Sequence, residues 1–543
     1  MSVRAQREGP SVANGKITNS SVLIVGGSLN GLTAALLLAQ RGVKCVVVER
    51  QPTTSVQYKF RGISPRSMEI YRGLGIDEEI RANRTGDQKA GQIAWMKNLS
   101  DPEINWQGLP WAETGDISPA TAETCDQDRL EPILRKHAEE RGAEIRFNTE
   151  LVDFDQDEHG VNARIVDRGT NKEETVHASY LVAADGGGGK TREALGIERH
   201  GPGVLQHWMN VIFDTDLNPV LDGRPITSVF LTDINGTFVP RDEGRWLMAV
   251  QYVPEQGQHA EDFTAEYCRE LIFRGAGRSD FKAEVVDARS WTVAAYVADR
   301  FAKGRAFLIG DTAHLMPPTG GFGGNTGIHD AHNLAWKLDA VLRGAAAPGL
   351  LDTYDSERRW IAERTLAQAL ARLQAWFKDP GKKLPPAEKI SDDYHVIFGQ
   401  LYRSGAFIAE GDSTADEGFE DPRKPSGRPG SRAAHVIVER AGERLSTIDL
   451  FNGQWVLLAG SGSAWLDASK RSSAATNFDL KQYSVGPDGD LRDVDNRWPA
   501  AYGVNADGAV LVRPDGFIAW RAPEASNEPE KVLRHVFERL SCP

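Results

Sequence analysis

A short stretch near the N-terminus restricts the fold more than any other part of the chain. Residues 21–25 (SVLIV) have the length and composition of a buried strand, and a glycine-rich turn separates them from a helix pattern at 32–42 (LTAALLLAQRG). A second apolar run, 44–50 (KCVVVER), follows at once. Two strands joined by a helix form a βαβ unit, whose strands run parallel. The sequence therefore predicts an α/β fold that opens with a parallel sheet.

The turn inside this unit has the pattern of a dinucleotide-binding loop, GGSLNG at 26–31. Gly26 permits a tight turn, and Gly31 lets the helix pack closely on the strand. The N–H groups at the helix start can bind a pyrophosphate, and Glu49, after the second strand, can accept hydrogen bonds from ribose hydroxyls. Ser28 stands where a second glycine is usual, and its small side chain still lets a phosphate approach. The loop is predicted to bind a nucleotide.

Two further glycine-rich loops each follow a predicted strand. In LVAADGGGGKTREALGI (181–197), an Asp-Gly pair that begins at Asp185 can supply a second nucleotide contact, although four consecutive glycines also fit a flexible loop. In LIGDTAHLMPPTGGFGGNTGIHDAHNLAWKL (308–338), Asp311 can bond a ribityl or ribose hydroxyl, and a helix is predicted to begin at about Asn325. The partial positive charge of that helix start can stabilise a negative charge on a planar group such as a reduced flavin.

The rest of the chain divides into a second sheet and a C-terminal unit. Residues 201–299 contain long strand patterns and few helical ones, which predicts a separate, mostly antiparallel sheet. Residues 396–430 are rich in Pro, Gly and charge, which is typical of a connector. The predicted division is a loose tail at 1–19, the α/β unit at 20–200 and 300–395, the second sheet at 201–299, the connector at 396–430 and the C-terminal unit at 431–543.

Composition excludes several kinds of partner. The formal net charge is −13 and there is no long basic run, which argues against nucleic-acid binding. No run of about 18 apolar residues occurs, so we expect no membrane-spanning helix. The four cysteines are far apart, which fits a reducing cytoplasm better than a disulfide framework or a zinc cluster. Small molecules are the expected partners.

Three motifs together are similar to the FAD motifs of the class A flavoprotein monooxygenases. They are VLIVGGSLNGLTAALLLAQRG with its following ER pair, LVAADG with Arg192, and GDTAHLMPPTGGFGGNTGIHDAHNLAWKL. This family contains the para-hydroxybenzoate hydroxylase and phenol hydroxylase groups, and within it the chain most resembles the aromatic polyketide hydroxylases. The resemblance includes FRGISPRSMEIYRGLGI (60–76), CDQDRLEPIL, LLDTYDSERR and LVRPDGFIAWR, and it extends over nearly the whole chain.

The resemblance implies an FAD site and its residues. Arg61, in the RGISPRSME segment, would face the flavin ring, and Arg61 and Pro317 would take part in catalysis. Without the resemblance, Arg61 would be interpreted as an ordinary surface or salt-bridged arginine. Gly189 stands where many relatives have a serine. The implied FAD contacts are Gly26, Ser28, Gly31, Glu49, Arg50, Arg61, Gln127, Asp185, Asp311, Pro318, Gly320, Gly321, Gly323, Gly324 and Asn325.

The implied reaction is hydroxylation of a bulky phenolic or polycyclic aromatic substrate of polyketide type. NADPH or NADH would reduce FAD, O₂ would add to the flavin, and the C4a-hydroperoxide would transfer oxygen to an electron-rich ring. The protein would position the reactants and exclude water. We expect the substrate pocket between the second sheet and the flavin loop. Aromatic residues of that sheet are candidates for its lining by location alone: Trp208, Phe230, Phe238, Trp246 and Tyr252.

The resemblance also implies a domain plan. A Rossmann-type FAD-binding domain would carry a mostly antiparallel β substrate domain and a thioredoxin-like C-terminal domain. Cys542 is the only cysteine after Cys268, so the last domain has no Cys-x-x-Cys motif and no dithiol function. A structural or dimer-supporting role is expected for it, in a monomer or a homodimer.

Other activities stay open at this stage. Baeyer–Villiger and antibiotic-inactivating flavin monooxygenases have the same FAD motifs, while an FAD oxidase, a dehydrogenase or a non-catalytic flavin-binding module is less favoured. His314, His329 and His332, near Asp311 and Asp330, could form a two-His, one-carboxylate iron site. The surrounding glycines favour a flavin, and we expect no metal.

Overall fold

The fold is taken from a computed structural model of the chain. It describes residues 17–56, 60–85, 92–108, 114–224, 226–241, 244–376, 384, 386–410, 418–474 and 478–541. The N-terminal elements, in chain order, are β1 (Ile17–Val25), α1 (Leu29–Gln40), β2 (Cys45–Val48), β3 (Gly62–Ile63), α2 (Pro65–Gly73), α3 (Asp77–Ala82), β4 (Gln92–Met96), β5 (Asn105–Gly108), β6 (Glu123–Thr124), α4 (Gln127–Glu140), β7 (Glu144–Arg146), β8 (Thr149–Gln156), β9 (Val161–Asp167), β10 (Lys172–Ala183) and α5 (Thr191–Ala194).

The remaining elements complete the middle and C-terminal parts. The middle elements are β11 (Arg199–Asp214), α6 (Asn218–Leu221), β12 (Ser228–Leu231), β13 (Gly236–Pro240), β14 (Arg245–Tyr252), α7 (Ala265–Ala276) and β15 (Glu284–Ala298). The last elements are β16 (Ala302–Lys303), β17 (Ala306–Leu308), β18 (His314–Leu315), α8 (Phe322–Leu342), α9 (Asp352–Trp376), α10 (Asp393–Phe398), β19 (Ile437–Arg440), β20 (Glu443–Ser446), β21 (Trp455–Gly460), α11 (Trp465–Ser473), β22 (Leu480–Val485), β23 (Arg492–Asp493), α12 (Trp498–Tyr502), β24 (Ala509–Val512), β25 (Ile518–Ala522) and α13 (Pro529–Ser541).

The first sheet is the parallel one that the βαβ pattern predicts. Its order is β16-β17-β10-β1-β2-β7, and β1 lies parallel to both β2 and β10. Strand β17 is also parallel to β10. The carboxyl ends of β1, β10 and β17 therefore meet at one edge of the sheet, where ligands of open α/β sheets bind. The three glycine-rich loops begin at this edge.

The first strand is longer than its apolar run. Residues 17–19, which the sequence assigns to a loose tail, pair with Thr175–His177 of β10. Their side chains are exposed or half-buried, so the hydrophobic pattern does not reveal them, and backbone pairing alone extends the strand. The rest of the predicted tail, residues 1–16, lies outside the described residues.

The middle sheet recruits strands from outside its predicted segment. Its order is β18-β15-β11-β14-β13-β12-β4-β5. Strands β4 and β5 come from the segment assigned to the α/β unit, and β4 lies parallel to β12. Helix α7 covers one face of this sheet over a core that includes Cys268 and Ile272. The boundaries at 201 and 299 are therefore too narrow for this sheet.

The predicted connector is a packed segment over much of its length. Helix α10 extends into it, and Ile397 and Phe398 are buried. Tyr402 and Phe407 are buried with Phe517 of the C-terminal part. Residues 411–417 of this segment lie outside the described residues. The C-terminal part contains a four-stranded sheet of order β22-β21-β24-β25, with α11 and α13 packed together beside it.

Candidate active site

The three glycine-rich loops contact one another at the edge of the parallel sheet. The Gly186 N–H donates to Thr312 Oγ1 over 2.9 Å, and Thr312 Oγ1 in turn donates to Asp185 Oδ1 over 3.3 Å. A Cβ on Gly26 would lie 2.3 Å from the Ala184 carbonyl oxygen, so only glycine lets the first loop pass the second. The structure thus brings together the loops that the sequence singled out.

The first loop is tied to the second strand by Glu49. The Glu49 carboxylate accepts from the Gly27 N–H and the Gln51 N–H, both at 2.8 Å. Gly31 lies in the first turn of α1, directly against the Gly26 carbonyl. Arg50 is exposed and follows Glu49. The carboxylate has further lone pairs, which could accept ribose hydroxyls.

Ser28 has a partner that the motif did not suggest. Its hydroxyl donates to Glu131 Oε1 over 2.5 Å, and the Leu29 N–H donates to the same oxygen over 2.9 Å. Gln127 Nε2 donates to it as well, and Ser55 N–H donates to Oε2, both at 2.6 Å. Glu131 is fully buried in α4. This carboxylate therefore fixes the start of α1, and sequence reasoning missed it.

Asp185 organises the second loop. Its Oδ2 accepts from the Thr191 N–H at 3.0 Å and from the Thr191 hydroxyl at 2.8 Å. A Cβ on Gly189 would lie 2.2 Å from the Asp185 carboxyl carbon. The glycine at this position thus follows from where Asp185 lies.

The third loop leads into helix α8, which begins at Phe322, three residues before the predicted start. Asp311 and Pro318 are exposed, whereas Pro317 is buried. Gly320 and Gly321 form the turn before the helix, both with positive φ. A Cβ on Gly324 would lie 2.4 Å from the Phe60 ring, but one on Gly323 would meet only Met316, at 3.9 Å. The protein's own packing therefore does not require glycine at 323.

Asn325 is held by four hydrogen bonds inside the protein. Its Oδ1 accepts from the Ser64 N–H at 2.9 Å and the Ser67 hydroxyl at 2.7 Å. Its Nδ2 donates to the Gly62 and Gly321 carbonyls at 3.0 and 2.9 Å. The side chain therefore fastens the RGISPRSME segment to the third loop.

Arg61 connects the α/β unit with the middle sheet. Its Nε lies 3.2 Å from Asp126 Oδ1, and its Nη2 donates to the Pro240 carbonyl over 3.0 Å. Arg241 of the middle part is also ion-paired with Asp126, which is fully buried. Arg61 thus lies at the junction where a substrate pocket is expected, and it is salt-bridged there.

The five aromatic candidates divide between the two faces of the middle sheet. Phe238, Trp246 and Tyr252 belong to the core beneath α7, on the face directed away from the glycine-rich loops. Trp208 packs with the core of the α/β unit and lies 6.2 Å from Trp291, ring centre to ring centre. Phe230 stacks on Trp95 at 4.3 Å and contacts Trp376 at the end of α9. Trp208 and Phe230 therefore lie on the other face of the middle sheet.

Comparison with known proteins identifies the family. The family described as "FAD binding domain" matches residues 19–369, and the family described as "Aromatic-ring hydroxylase, C-terminal" matches residues 426–540. The aklavinone 12-hydroxylase of Streptomyces purpurascens is 39% identical over 545 residues, covering 96% of this chain and 98% of that protein. The chain belongs to the FAD-dependent aromatic-ring hydroxylases. It is a flavoprotein monooxygenase.

Two further relatives agree with this assignment. A putative polyketide hydroxylase of Streptomyces halstedii is 41% identical, covering 99% of both chains. The structure of aklavinone-11 hydroxylase in a ternary complex with FAD and aklavinone superposes with a TM-score of 0.90 at 39% identity, covering 96% of this chain and 99% of that one. The mixed α/β fold of this enzyme is therefore that of an FAD-dependent hydroxylase.

The donors at the sheet edge fit FAD. The start of α1 offers N–H groups for a pyrophosphate, and Glu49 offers a carboxylate for a ribose. The space beside Gly323, at the start of the long helix α8, leaves room for a planar ring next to a partial positive charge. These are the groups that a dinucleotide with a flavin ring requires.

Two of the three histidines near the third loop are bonded within the protein. His314 Nε2 lies 2.8 Å from Asp330 Oδ2, and Arg358 Nε donates to Asp330 Oδ1 over 2.8 Å. His329 lies 3.3 Å from the Ser67 hydroxyl. Within the described ranges, no three His, Cys, Asp or Glu side chains are grouped to hold a metal ion. Likewise, no helix there is long and apolar enough to cross a membrane.

Proposed function

We propose that this enzyme hydroxylates a bulky phenolic or polycyclic aromatic substrate of polyketide type, with FAD, NADPH or NADH, and O₂. The observation that carries the proposal is the match, over almost the full length of both chains, to an aklavinone-11 hydroxylase structure solved with FAD and aklavinone. The aromatic face of the middle sheet supports it, because planar rings bind well on aromatic side chains.

The proposed FAD site uses the predicted residues, except that Asn325 has a positioning role and Glu131 is added in the same role. Gly26, Ser28, Gly31, Glu49 and the start of α1 would hold the nucleotide half, with Gln127 and the exposed Arg50 nearby. Asp185, Asp311 and the Pro318–Gly324 loop would hold the ribityl chain and the flavin ring. Asn325 and Glu131 would act by positioning these loops, since their side chains are already bonded to the protein. Bound FAD supplies the redox and oxygen chemistry, which no side chain here can provide.

The proposed substrate pocket lies between the third loop and the middle sheet. Phe230 with Trp95, and Trp208 with Trp291, would form its aromatic wall, while Phe238, Trp246 and Tyr252 would support that wall from behind. Arg61 would close the junction through Asp126 and Pro240. The buried Pro317 would shape the loop next to the reacting ring. These residues orient the substrate and exclude water.

We also propose the domain plan that the family implies. The α/β unit would be a Rossmann-type FAD-binding domain, interrupted by the substrate-binding sheet. The C-terminal unit would be thioredoxin-like; this is supported by its strand order, with β21 and β22 parallel and β24 antiparallel to β21. Free buried thiols at Cys45, Cys125 and Cys268 fit a cytoplasmic protein, acting as a monomer or homodimer.

Anaerobic reduction of the enzyme-bound flavin tests this function. NADPH is mixed with the holoenzyme in the presence and absence of a panel of polycyclic phenols, and the loss of flavin absorbance is followed. The proposal requires that at least one phenol accelerates reduction and, in air with ¹⁸O₂, gains one labelled oxygen on its ring. Insertion of oxygen beside a ketone would indicate the Baeyer–Villiger alternative. Formation of H₂O₂ without labelled product from every compound would contradict hydroxylation.

A further inference from the structure

One cavity in the described part of the chain lies away from the glycine-rich loops. It has a volume of about 570 Å³ and lies between the α/β unit and the C-terminal unit. Its walls come from the end of α1 near Leu37 and Arg41, from α2, from the second half of α8, and from the segment Phe451–Trp455. Leu37 is the ninth residue of α1, so the cavity is about 12 Å along that helix from the nucleotide loop. It is a separate site.

A group of aromatic rings forms one part of the wall. Trp336 of α8 and Trp455 of β21 meet edge to face at 5.8 Å, and Phe478 lies 4.8 Å from Trp455. Phe451 completes this group. Ligand pockets in proteins commonly have volumes of roughly 300–1,000 Å³, apolar and aromatic walls, and positions at domain interfaces. The cavity has the volume and the position of such pockets, and its wall combines this aromatic group with polar side chains.

The charged groups of the wall neutralise one another. Asp339 is bonded by Arg41 and Arg343, at 3.2 and 2.9 Å. Arg66 is paired with Glu69 at 2.8 Å, and it also donates to the Asp515 carbonyl. The wall therefore has no strong preference for an ion.

The wall also contains neutral polar groups. His332, Asn452 and Gln454 line the cavity; His332 and Gln454 are half-buried, and Asn452 is exposed. Burial and the neighbouring Arg66 lower the pKa of His332 to about 3, so its ring is uncharged at neutral pH. An uncharged imidazole and two amides can both donate and accept, which suits hydroxyl and carbonyl groups.

We propose that this cavity is a second binding site, for an uncharged planar aromatic molecule that carries hydroxyl or carbonyl groups. Rings would pack on Trp336, Trp455 and Phe478, and the polar groups would bond to His332 and the two amides. Its ligand has the chemistry of the proposed substrate and product, but the site itself is distinct from the flavin-side pocket.

Helix α2 connects the cavity with the third loop. Arg66 and Glu69 in the wall belong to this helix, whose N-terminal residues Ser64 and Ser67 bond Asn325. A ligand that shifts α2 would therefore shift the third loop.

The number of binding sites tests the proposal. Equilibrium dialysis of the holoenzyme with 1,8-dihydroxyanthraquinone measures bound molecules per chain. In Ala346→Trp the new side chain fills the cavity, since Ala346 lines it. Ala464→Trp, at an exposed position of the C-terminal unit, is the matched control. We expect A346W to bind one equivalent fewer than both the wild type and A464W.

A second variant keeps the test decisive if A346W folds poorly. His332→Phe keeps a ring but removes both nitrogens. We expect the Kd of one of the bound equivalents to increase at least tenfold. Equal stoichiometry and equal affinity in the wild type and in each variant that retains its FAD would show that the cavity holds only water and would overturn the proposal. Acceleration of flavin reduction by phenols, measured in the same preparations, reports on the flavin-side pocket and separates failure of this site from failure of the proposed function.

Discussion

Gly189 leaves no room for a side chain, because the Asp185 carboxyl group lies 2.2 Å from where a Cβ would stand. Gly189→Ser must therefore displace a carboxylate that is bonded by Thr191 and Thr312. Hydrogen bonds to charged groups contribute about 1.5–3 kcal/mol, so we expect FAD binding to weaken about tenfold or more. Fluorescence titration of the apoenzyme with FAD measures this. Gly188→Ser is the control, since nothing lies within 4 Å there; equal losses in both variants would contradict the argument.

A second prediction for a single residue concerns Glu131. Four donors converge on its buried carboxylate, from Ser28, Leu29, Ser55 and Gln127. Glu131→Ala leaves them unsatisfied; the donors on Leu29 and Gln127 are buried, and each buried unpaired group costs about 1–3 kcal/mol. We expect a loss of about 2–6 kcal/mol in the free energy of unfolding, measured with urea, and loss of FAD on gel filtration. Glu139→Ala, an exposed change on the same helix, is expected to cost under about 0.5 kcal/mol. A stable, FAD-replete E131A would disprove the anchoring role.

At the scale of an element, a prediction concerns the two faces of the strand pair β12 and β13. Phe230 of β12 and Phe238 of β13 lie on opposite faces of the middle sheet, one against Trp95 and the other in the core beneath α7. Phe238→Ala is expected to cost about 3–5 kcal/mol of unfolding free energy. Phe230→Ala is expected to cost less and to raise the KM for the aromatic substrate about 3- to 10-fold, the energy of an aromatic contact. Steady-state kinetics and urea unfolding of both variants check this; a reversed pattern would place the pocket on the α7 face.

Elements that local sequence specifies were predictable, and elements that distant pairing creates were not. The unit of β1, α1 and β2 follows from periodicity within thirty residues, as does the start of each glycine-rich loop. Strand β4 joins β12, which lies far along the chain, by backbone pairing. The residues around β4 do not specify this pairing, so it could not be predicted from them. Glu131 was missed for a related reason, because its partners lie on other elements. A signal did exist: it stands four residues after Gln127, on the same helical face.

At the scale of the whole molecule, buried charges join the α/β unit to the C-terminal unit at Glu357 and Glu69, and a further buried cluster at Asp330 holds the α/β unit together. Burial alone would raise the pKa of each carboxyl group in this network, but neighbouring cations lower the pKa of Glu357, Glu69 and Asp330 below their usual values. Arg513 and Lys337 lower the pKa of Glu357. Arg432 and Arg66 lower that of Glu69, and Arg358 and His314 lower that of Asp330.

Acid should therefore weaken the whole structure. The unfolded chain binds protons at carboxyl pKa values near 4, whereas the folded chain does not, so stability is present above about pH 4.5 and is lost as pH falls below it. Each such carboxylate contributes up to about 1.4 kcal/mol per pH unit. Urea unfolding at pH 5.5, 4.5 and 3.5 measures the slope. A free energy of unfolding that stays constant down to pH 3.5 would show that these charges do not stabilise the fold.

Arg513 is one of the buried cations that join the two units. It stands in the turn between β24 and β25, yet its side chain is fully buried, bonding Glu357 of α9 through Nη1 and Nη2 at 2.8 and 2.9 Å and Asp515 through Nε at 3.0 Å. Arg513→Ala leaves two carboxylates buried without their main partner, which costs about 3–5 kcal/mol.

Arg513→Lys should rescue little of this loss, because an ammonium cannot form the planar fork that meets both carboxylates. Thermal unfolding followed by both flavin fluorescence and far-UV circular dichroism distinguishes the outcomes. If the turn anchors the α/β unit, both variants release FAD at a temperature several degrees lower, together with the loss of helix signal. Arg534→Ala, in an exposed pair on α13, should change neither. Unchanged flavin release in R513A, with unfolding confined to the C-terminal unit, would mean that the two parts are stable independently of each other.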